Sequence, residues 1–254
     1  MKTFDLTGKV AIVTGGNGGI GFGMARGLAR AGAAIAVVGR NGEKSAQAVQ
    51  ELRGREFQAQ AFEADVTDAD AVSTMVDGVT DAFGRIDILV NNAGINIRKR
   101  PEDLQPDEWQ QVLNTNLTSA FLCSRACYTA LKRAGGGKIL NNGSMLSIFG
   151  TPWGSAYAAS KGGMVQLTKS LATAWAADNI QVNCFLPGWI DTELTRNARN
   201  EVDGLHDRVL ARTPAGRWGD VEDLEGVAVF FASPASNFIT GVSIPVDGGF
   251  SVSG

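Results

Sequence analysis

Tyr157 and Lys161 lie four residues apart in SAYAASKGGMVQLTKSLATAWA, a segment whose apolar spacing predicts a helix, so the two side chains share one face. A phenol beside an ammonium is a proton-transfer pair, because a free phenol titrates near about 10 and a neighbouring cation favours its anion. Reducing a ketone needs a hydride at carbon and a proton at oxygen, and microscopic reversibility makes the same group the base in alcohol oxidation. Tyr157 is the candidate for that group and Lys161 for the cation. Without context the pair carries little weight, since a half-buried tyrosine beside a solvated lysine arises often by chance. Ser144, thirteen residues before Tyr157, follows the apolar run KILNN, where the carboxyl end of a parallel strand opens into a ligand crevice. A hydroxyl there can stabilise charge developing on a substrate oxygen; Ser147 is the nearby competitor. His206 is the single histidine and stands in no ligand cluster, which argues against metal-dependent or histidine-based hydrolysis.

Residues 14 to 21 read TGGNGGIG, with glycine at 15, 16, 18, 19 and 21. VAIVT feeds into this run, and Ile20, Met24, Leu28 and Ala31 follow at helical spacing. Strand, glycine turn and helix is the setting in which backbone amides and a helix N-terminus meet a pyrophosphate. Gly15 permits a sharp exit from the strand, while Gly19 and Gly21 allow close approach of backbone to cofactor and of helix to sheet. A tight turn without a ligand is the plain alternative for this motif alone.

The elements that must position these groups recur along the chain. VAIVT from Val10, AIAVV from Ala34, FQAQAF from Phe57, IDILVN from Ile86, KILNN from Lys138, IQVNCF from Ile180 and VSIPV from Val242 read as strands, separated by helical stretches. This alternation predicts an α/β fold: a doubly wound, Rossmann-type parallel sheet of about seven strands with helices on both faces. No Pro/Gly/Ser-rich linker divides the chain, so residues 1–254 are expected to form one domain. The widest strand-free gap runs from about Pro187 to Ser236, and its part at about 190–215 is the candidate substrate lid.

Composition narrows the function. Hydrophobic residues make up 44% and charged residues 19%, as expected for a chain that folds. The 23 basic and 26 acidic residues are well mixed, so nucleic-acid binding is not expected. The longest basic cluster, Arg98 to Arg100, is too short for a membrane anchor. Three cysteines without a CxxC pair indicate neither a disulfide framework nor a zinc site. With no apolar signal core and no spanning run, the expected location is the cytoplasm.

With the glycine run in place, the motifs resemble those of the short-chain dehydrogenase/reductase family along almost the whole chain: NNAG at 91 to 94, NTNL at 114 to 117, the serine at 144, YAASK from Tyr157 to Lys161, and PGWIDT from Pro187 to Thr192. The resemblance implies a nicotinamide-dependent oxidoreductase that interconverts a secondary alcohol and a ketone, with Asn116, Ser144, Tyr157 and Lys161 catalytic. It favours Ser144 over Ser147, which is then expected to face a loop. Lys161 would also hold the nicotinamide ribose, together with Tyr157, and Asn116, in the helix beginning near Asp107, would hold a water in a proton relay behind the lysine. Cofactor contacts are implied for Gly15, Asn17, Gly19, Ile20 and Gly21 in the loop, for Asp65 and Val66 after the third strand, for Asn92 and Gly94, and for Ile190 and Thr192. The resemblance also implies a homotetramer, with the helices around Gln110 and Tyr157 and the C-terminal strand at its interfaces.

The second strand ends VVGRN, with Gly39 where an acidic residue would hold the adenosine ribose of NAD. Arg40 follows and offers a cationic fork for a 2′-phosphate, so NADP is the expected cofactor, with NAD possible. Gly18 departs from this pattern, because many NADP-dependent members carry a basic residue there. Met145, Leu146, Trp153, Trp189 and Leu194 are expected to line the substrate pocket. Arg98 and Arg100 are candidates for a carboxylate, against the alternative of a solvated face. SMLS, PGWIDTELT and RTPAGRWGD look most like the family's bacterial sugar-acid dehydrogenases; a 3-oxoacyl thioester reductase or a tolerant carbonyl reductase is the other enzymatic reading. A cofactor sensor without catalysis is the non-enzymatic one, and the presence of Ser144, Tyr157 and Lys161 together weighs against it.

Overall fold

Short runs of β-branched and small apolar residues can lie in a parallel sheet only where helices cover both faces, and the computed structural model, which describes residues 2–253, builds that arrangement. The strands are β1 (Val10–Thr14), β2 (Ala34–Gly39), β3 (Ala59–Glu63), β4 (Ile88–Asn91), β5 (Gly137–Asn142), β6 (Ile180–Pro187) and β7 (Ser243–Val246). They form one sheet in the order β3-β2-β1-β4-β5-β6-β7, and each neighbouring pair is parallel. The order reverses between β1 and β4, the switch point beside which such sheets bind ligands. Seven strands in one sheet agree with the sequence pattern; the third lies slightly later than FQAQAF suggests.

The helices are α1 (Gly19–Arg30), α2 (Gly42–Arg53), α3 (Ala69–Phe83), α4 (Pro106–Leu113), α5 (Ser119–Arg133), α6 (Ser155–Trp175), α7 (Glu193–Glu201), α8 (Leu205–Arg212) and α9 (Glu225–Ala232). Alternation along each strand divides the core in two. Ala11, Val13, Ile35, Val37 and Val90 pack against Met24 and Leu28 of α1, Leu52 of α2 and Phe231 of α9. Val10, Ile12, Val38 and Leu89 pack against Val72 and Val79 of α3 and Cys127 and Leu131 of α5. Arg26 of α1 is paired with Glu222 and Glu225, which fastens the first helix to the last.

Local chemistry sets the helix ends nearest the cleft. Asn41 caps α2 by accepting from the Lys44 amide at 2.9 Å. The helix expected from near Asp107 starts at Pro106, but it does not continue as a regular helix through Asn116. Residues Asn114–Thr118 form a wider π-helical turn between α4 and α5, a local expansion that often occurs at functional sites. Among the described residues, no helix is long and apolar enough to cross a membrane.

Candidate active site

The carboxyl ends of β1, β4, β5 and β6 open onto a cleft of about 720 Å³, which reaches from the glycine loop to α7 and α8. Its floor is a hydrogen-bonded lock between strand ends. Thr14 Oγ1 accepts from the amides of Asn92 and Ala93 at 2.9 and 3.1 Å. Asn92 Nδ2 donates to the carbonyls of Thr14 and Gly15, and its Oδ1 accepts from Asn142 Nδ2 at 2.8 Å. The side chain and amide of Asn92 are therefore engaged, leaving its carbonyl as the group available to a ligand.

The glycine loop has the shape of a cradle. Gly15 adopts φ +62, a left-handed conformation that favours glycine. A Cβ on Gly21 would stand 2.3 Å from the Gly15 carbonyl oxygen, so α1 approaches the loop as closely as a missing side chain allows. No side chain caps the N-terminus of α1, and Gly18, Gly19 and Ile20 at its start line the cleft. An uncapped helix N-terminus over a glycine cradle suits a pyrophosphate.

Beyond the glycine loop, Gly39 closes β2. A Cβ there would lie 2.4 Å from Asn17 Nδ2, which donates to Ser45 Oγ at 3.0 Å. Asn17 thus fills the space in which an acidic side chain would start. Arg40 is exposed, with Nη1 3.9 Å from Asp65 Oδ2. Hydrogen bonds from the Thr67 amide and hydroxyl, with a smaller contribution from Arg40, hold the Asp65 carboxyl below the usual range. Arg40, Asp65, the buried Val66 and Gly21 are not among the residues that line the cleft.

Lys44 was missed by sequence reasoning. The space a side chain on Gly18 would enter holds the Lys44 ammonium: a Cβ at 18 would be 3.3 Å from Nζ. The cation absent from the loop is supplied from α2, where Nζ meets Glu193 Oε2 at 3.4 Å. The available signal was its spacing, one helical turn after Arg40 at the start of a capped helix.

At the other end the cleft gathers Ser144, Tyr157 and Lys161. Burial pushes the Tyr157 phenol up, while the Ser144 hydroxyl and the Arg98 guanidinium pull it down. Burial lowers Lys161 to about 8; its Nζ donates to the Asn142 carbonyl at 2.6 Å and stands 5.6 Å from the centre of the Tyr157 ring. Ser147 does not face an open loop: its hydroxyl accepts from the Ser144 amide at 3.1 Å and donates to the Lys161 carbonyl at 2.8 Å. That bond ties the Ser144 turn to α6.

Asn116 is fully buried behind this group. It accepts from the Ile95 amide at 2.8 Å and donates to the Ile95 carbonyl and to Ser160 Oγ, which in turn donates to the Tyr157 carbonyl at 2.7 Å. Its side chain braces the turn of α6 that carries Tyr157.

Ile190 forms a parallel bridge with Gly219, in which the Asp191 amide donates to Gly219 and the Gly219 amide to Trp189. This pattern leaves Ile190's own amide out of the bridge. Thr192 caps α7 and packs near Gly19. Helices α7 and α8 have a small core of their own, with Ala198, Leu205, Val209 and Trp218 buried together. Met145, Leu146, Trp153, Trp189 and Leu194 all line the cleft. The two arginines read as carboxylate candidates are already engaged: Arg98 with Glu201 at 2.8 Å, and Arg100 with Glu102 while its guanidinium lies over Trp153.

Comparison with known proteins agrees with this geometry. The family model described as enoyl-(acyl carrier protein) reductase matches residues 15–251. The chain is 41% identical to a gluconate 5-dehydrogenase of Gluconobacter oxydans, covering 98% of this chain and 97% of that one. It is 42% identical to a 2-dehydro-3-deoxy-D-gluconate 5-dehydrogenase of Bacillus subtilis, covering 97% and 96%. The structure of a gluconate 5-dehydrogenase from Burkholderia cenocepacia, solved with NADP and tartrate, superimposes with a TM-score of 0.95 at 40% identity, covering 100% of this chain and 99% of that one. With the glycine cradle at one end of its cleft and the serine, tyrosine and lysine at the other, the chain belongs to the short-chain dehydrogenase/reductase family.

Proposed function

We propose that this protein is an NADP-dependent dehydrogenase that interconverts a secondary alcohol and a ketone on a sugar acid. The observation that carries the reading is the convergence of Ser144, Tyr157 and Lys161 at the end of a cleft whose other end is a phosphate cradle with no acidic side chain at position 39. The relatives named as gluconate and deoxygluconate dehydrogenases support the substrate class.

A nicotinamide held in the cleft would supply or accept the hydride at the substrate carbon. In the reducing direction the Tyr157 phenol gives its proton to the carbonyl oxygen, and the Ser144 hydroxyl donates a hydrogen bond to that oxygen as it gains charge. The Lys161 ammonium stabilises the resulting phenolate, which is reprotonated from solvent. Alcohol oxidation runs the same steps backwards, with the phenolate as base. Tyr157 and Lys161 would also hold the nicotinamide ribose. Gly15, Gly19, Ile20 and the α1 amides would hold the pyrophosphate, with Gly21 letting the helix pack close. Asn17, Asp65, Val66, Asn92 and Gly94 would receive the adenosine, and Ile190 and Thr192 the carboxamide end. Arg40 and Lys44 would bind the 2′-phosphate from two sides. The side chain of Asn116 is engaged with Ile95 and Ser160, so the relay water falls to its backbone carbonyl.

The segment at 190–215 acts as the lid in this reading, supported by its separate small core and its place along the rim. We infer a homotetramer: Trp109 and Phe121, on α4 and α5, are 37% and 42% exposed, and Val252 near the C-terminus is 85% exposed, which suits burial against other copies. Sedimentation should give four times the 26.7 kDa chain.

A panel of sugar acids, neutral alcohols, ketones and a 3-oxoacyl thioester, assayed with NADP(H) and NAD(H) at the nicotinamide absorbance band, tests the function. The expected result is highest kcat/KM for a sugar acid with NADP(H). Highest kcat/KM for the thioester would replace this reading with the acyl reductase.

A further inference from the structure

The cleft carries five cationic side chains, and four have partners. Lys44 meets Glu193, Arg98 meets Glu201 and the Leu194 carbonyl, Lys161 meets the Asn142 carbonyl, and Arg208 donates to the Asp203 carbonyl. Arg212 is the exception. Among the described residues its guanidinium has no ion pair, and it is held by two aromatic rings, with the centre of Phe149 at 4.8 Å and that of Phe250 at 4.4 Å.

The two rings meet edge to face, with centroids 6.3 Å apart and planes at 73°, so the guanidinium sits in the corner of a T-shaped pair and, among the described residues, its donors have no hydrogen-bond partner. A cation over an aromatic face is oriented by the ring quadrupole, and the five N–H groups of arginine form a planar fork that matches a carboxylate. The clamp is itself braced. Phe149 is reached in one turn from Ser144, with its amide bonded to the Met145 carbonyl. Phe250 follows a tight turn that contacts residues 213 to 215: Ala215 donates to the Gly248 carbonyl at 3.0 Å, and a Cβ on Gly249 would touch Pro214 at 3.0 Å. Arg212 ends α8, where the helix dipole favours a cation. The fork is therefore set by three segments that meet at the cleft wall.

We propose that Arg212, held in the corner of the Phe149 and Phe250 rings, receives the carboxylate of the substrate and so selects acids over neutral polyols or ketones. This inference rests on the sugar-acid reading given above. Arg98 is the weaker candidate, because Glu201 already occupies its fork and would repel an acid.

The test compares Arg212→Gln and Arg212→Lys with wild type on two substrates, a sugar acid and the matching neutral polyol or ketone, with KM and kcat measured separately and thermal midpoints recorded. The wild type should prefer the acid. Arg212→Gln should reduce the acid-to-neutral ratio of kcat/KM by roughly 10- to 100-fold, as expected for loss of a charge-assisted pair, mainly through the KM for the acid. Arg212→Lys should restore part of that ratio, and the inhibition constant of tartrate, used as a simple dicarboxylate probe, should rise in Arg212→Gln. An unchanged ratio in Arg212→Gln, with the wild-type preference present, would overturn the carboxylate assignment and leave the sugar-acid reading standing. A wild type without preference for the acid would overturn the sugar-acid reading and this inference with it.

Discussion

Lys161 Nζ stands 5.6 Å from the centre of the Tyr157 ring, one turn along α6, and its hydrogen bond goes to the Asn142 carbonyl at the end of β5. Helix and sheet together therefore fix the ammonium against the phenol. Burial works against charge on both groups, raising the tyrosine and lowering the lysine to about 8. The phenol is thus kept protonated, as the proposed proton donation in ketone reduction requires, with the lysine beside it.

The buried lysine makes a pH-dependent contribution to stability. Its folded pKa of about 8 lies below its ordinary 10.5, so between these values the unfolded chain binds more protons and stability rises with pH. Below pH 8 both states carry the charge, and the cost of burying it is felt in full. Lys161→Met should remove this contribution: the rise in urea midpoint from pH 8 to 10.5 should be smaller in the variant than in wild type. Comparing the two isolates Lys161 from Lys138, which burial also lowers to about 8. Parallel curves would show that the lysine is not desolvated as the structure indicates.

Ser144 should contribute through the hydrogen bond to the substrate oxygen. Ser144→Ala is expected to lower kcat by about 10²- to 10³-fold with a small change in the NADPH dissociation constant, the size typical of losing one such donor. Ser147→Ala has a different signature. It breaks the tie between the Ser144 amide and the Lys161 carbonyl, so it should cost about 1 kcal/mol of stability and lower kcat less.

In the proposed function Arg40 and Lys44 share the 2′-phosphate. Arg40→Ala and Lys44→Ala should each raise the KM for NADPH by roughly tenfold relative to that for NADH. Gly18 has an extended backbone, φ 178, which any residue adopts. Gly18→Arg in the Lys44→Ala background should therefore return much of the NADPH preference. Equal losses with both cofactors would place Lys44 at the pyrophosphate instead.

Most of this architecture was legible in the sequence, because its signals are local. Seven apolar runs separated by helical spacing fix a parallel sheet, and the glycine turn after VAIVT is short enough to read directly. Tyr157 and Lys161 were legible as a pair because a helix sets their separation. The remainder depended on distant segments. Lys44 lies 26 residues from Gly18 in sequence and meets it only when α2 folds beside the loop. Arg98 looked open because Glu201, its partner, comes from α7. The clamp around Arg212 joins residues 149, 212 and 250, a juxtaposition no spacing rule contains. Asn116 stands in a readable motif, but its π-helical turn and its bonds to Ile95 and Ser160 join segments too far apart in sequence to be read from it.

Those bonds make Asn116 a structural test as well. Asn116→Ala would leave the half-buried Ile95 amide and carbonyl without their partners. The expected cost is about 1–3 kcal/mol, a fall of roughly 2–12 °C in thermal midpoint for a chain of this size. The activity that remains should decline as well, because Ser160 and the Tyr157 turn lose their brace. A thermal midpoint within a degree of wild type would contradict this role.

The most direct measurement is the turnover of Tyr157→Phe on the preferred sugar acid, followed at the nicotinamide band, beside a fluorescence titration of NADPH. The variant should lose roughly 10³-fold or more in kcat while its NADPH affinity falls only a few-fold, since the hydroxyl is lost from one ribose contact while the Lys161 and pyrophosphate contacts remain. Turnover within a few-fold of wild type would contradict the proton-transfer role on which the proposed mechanism depends.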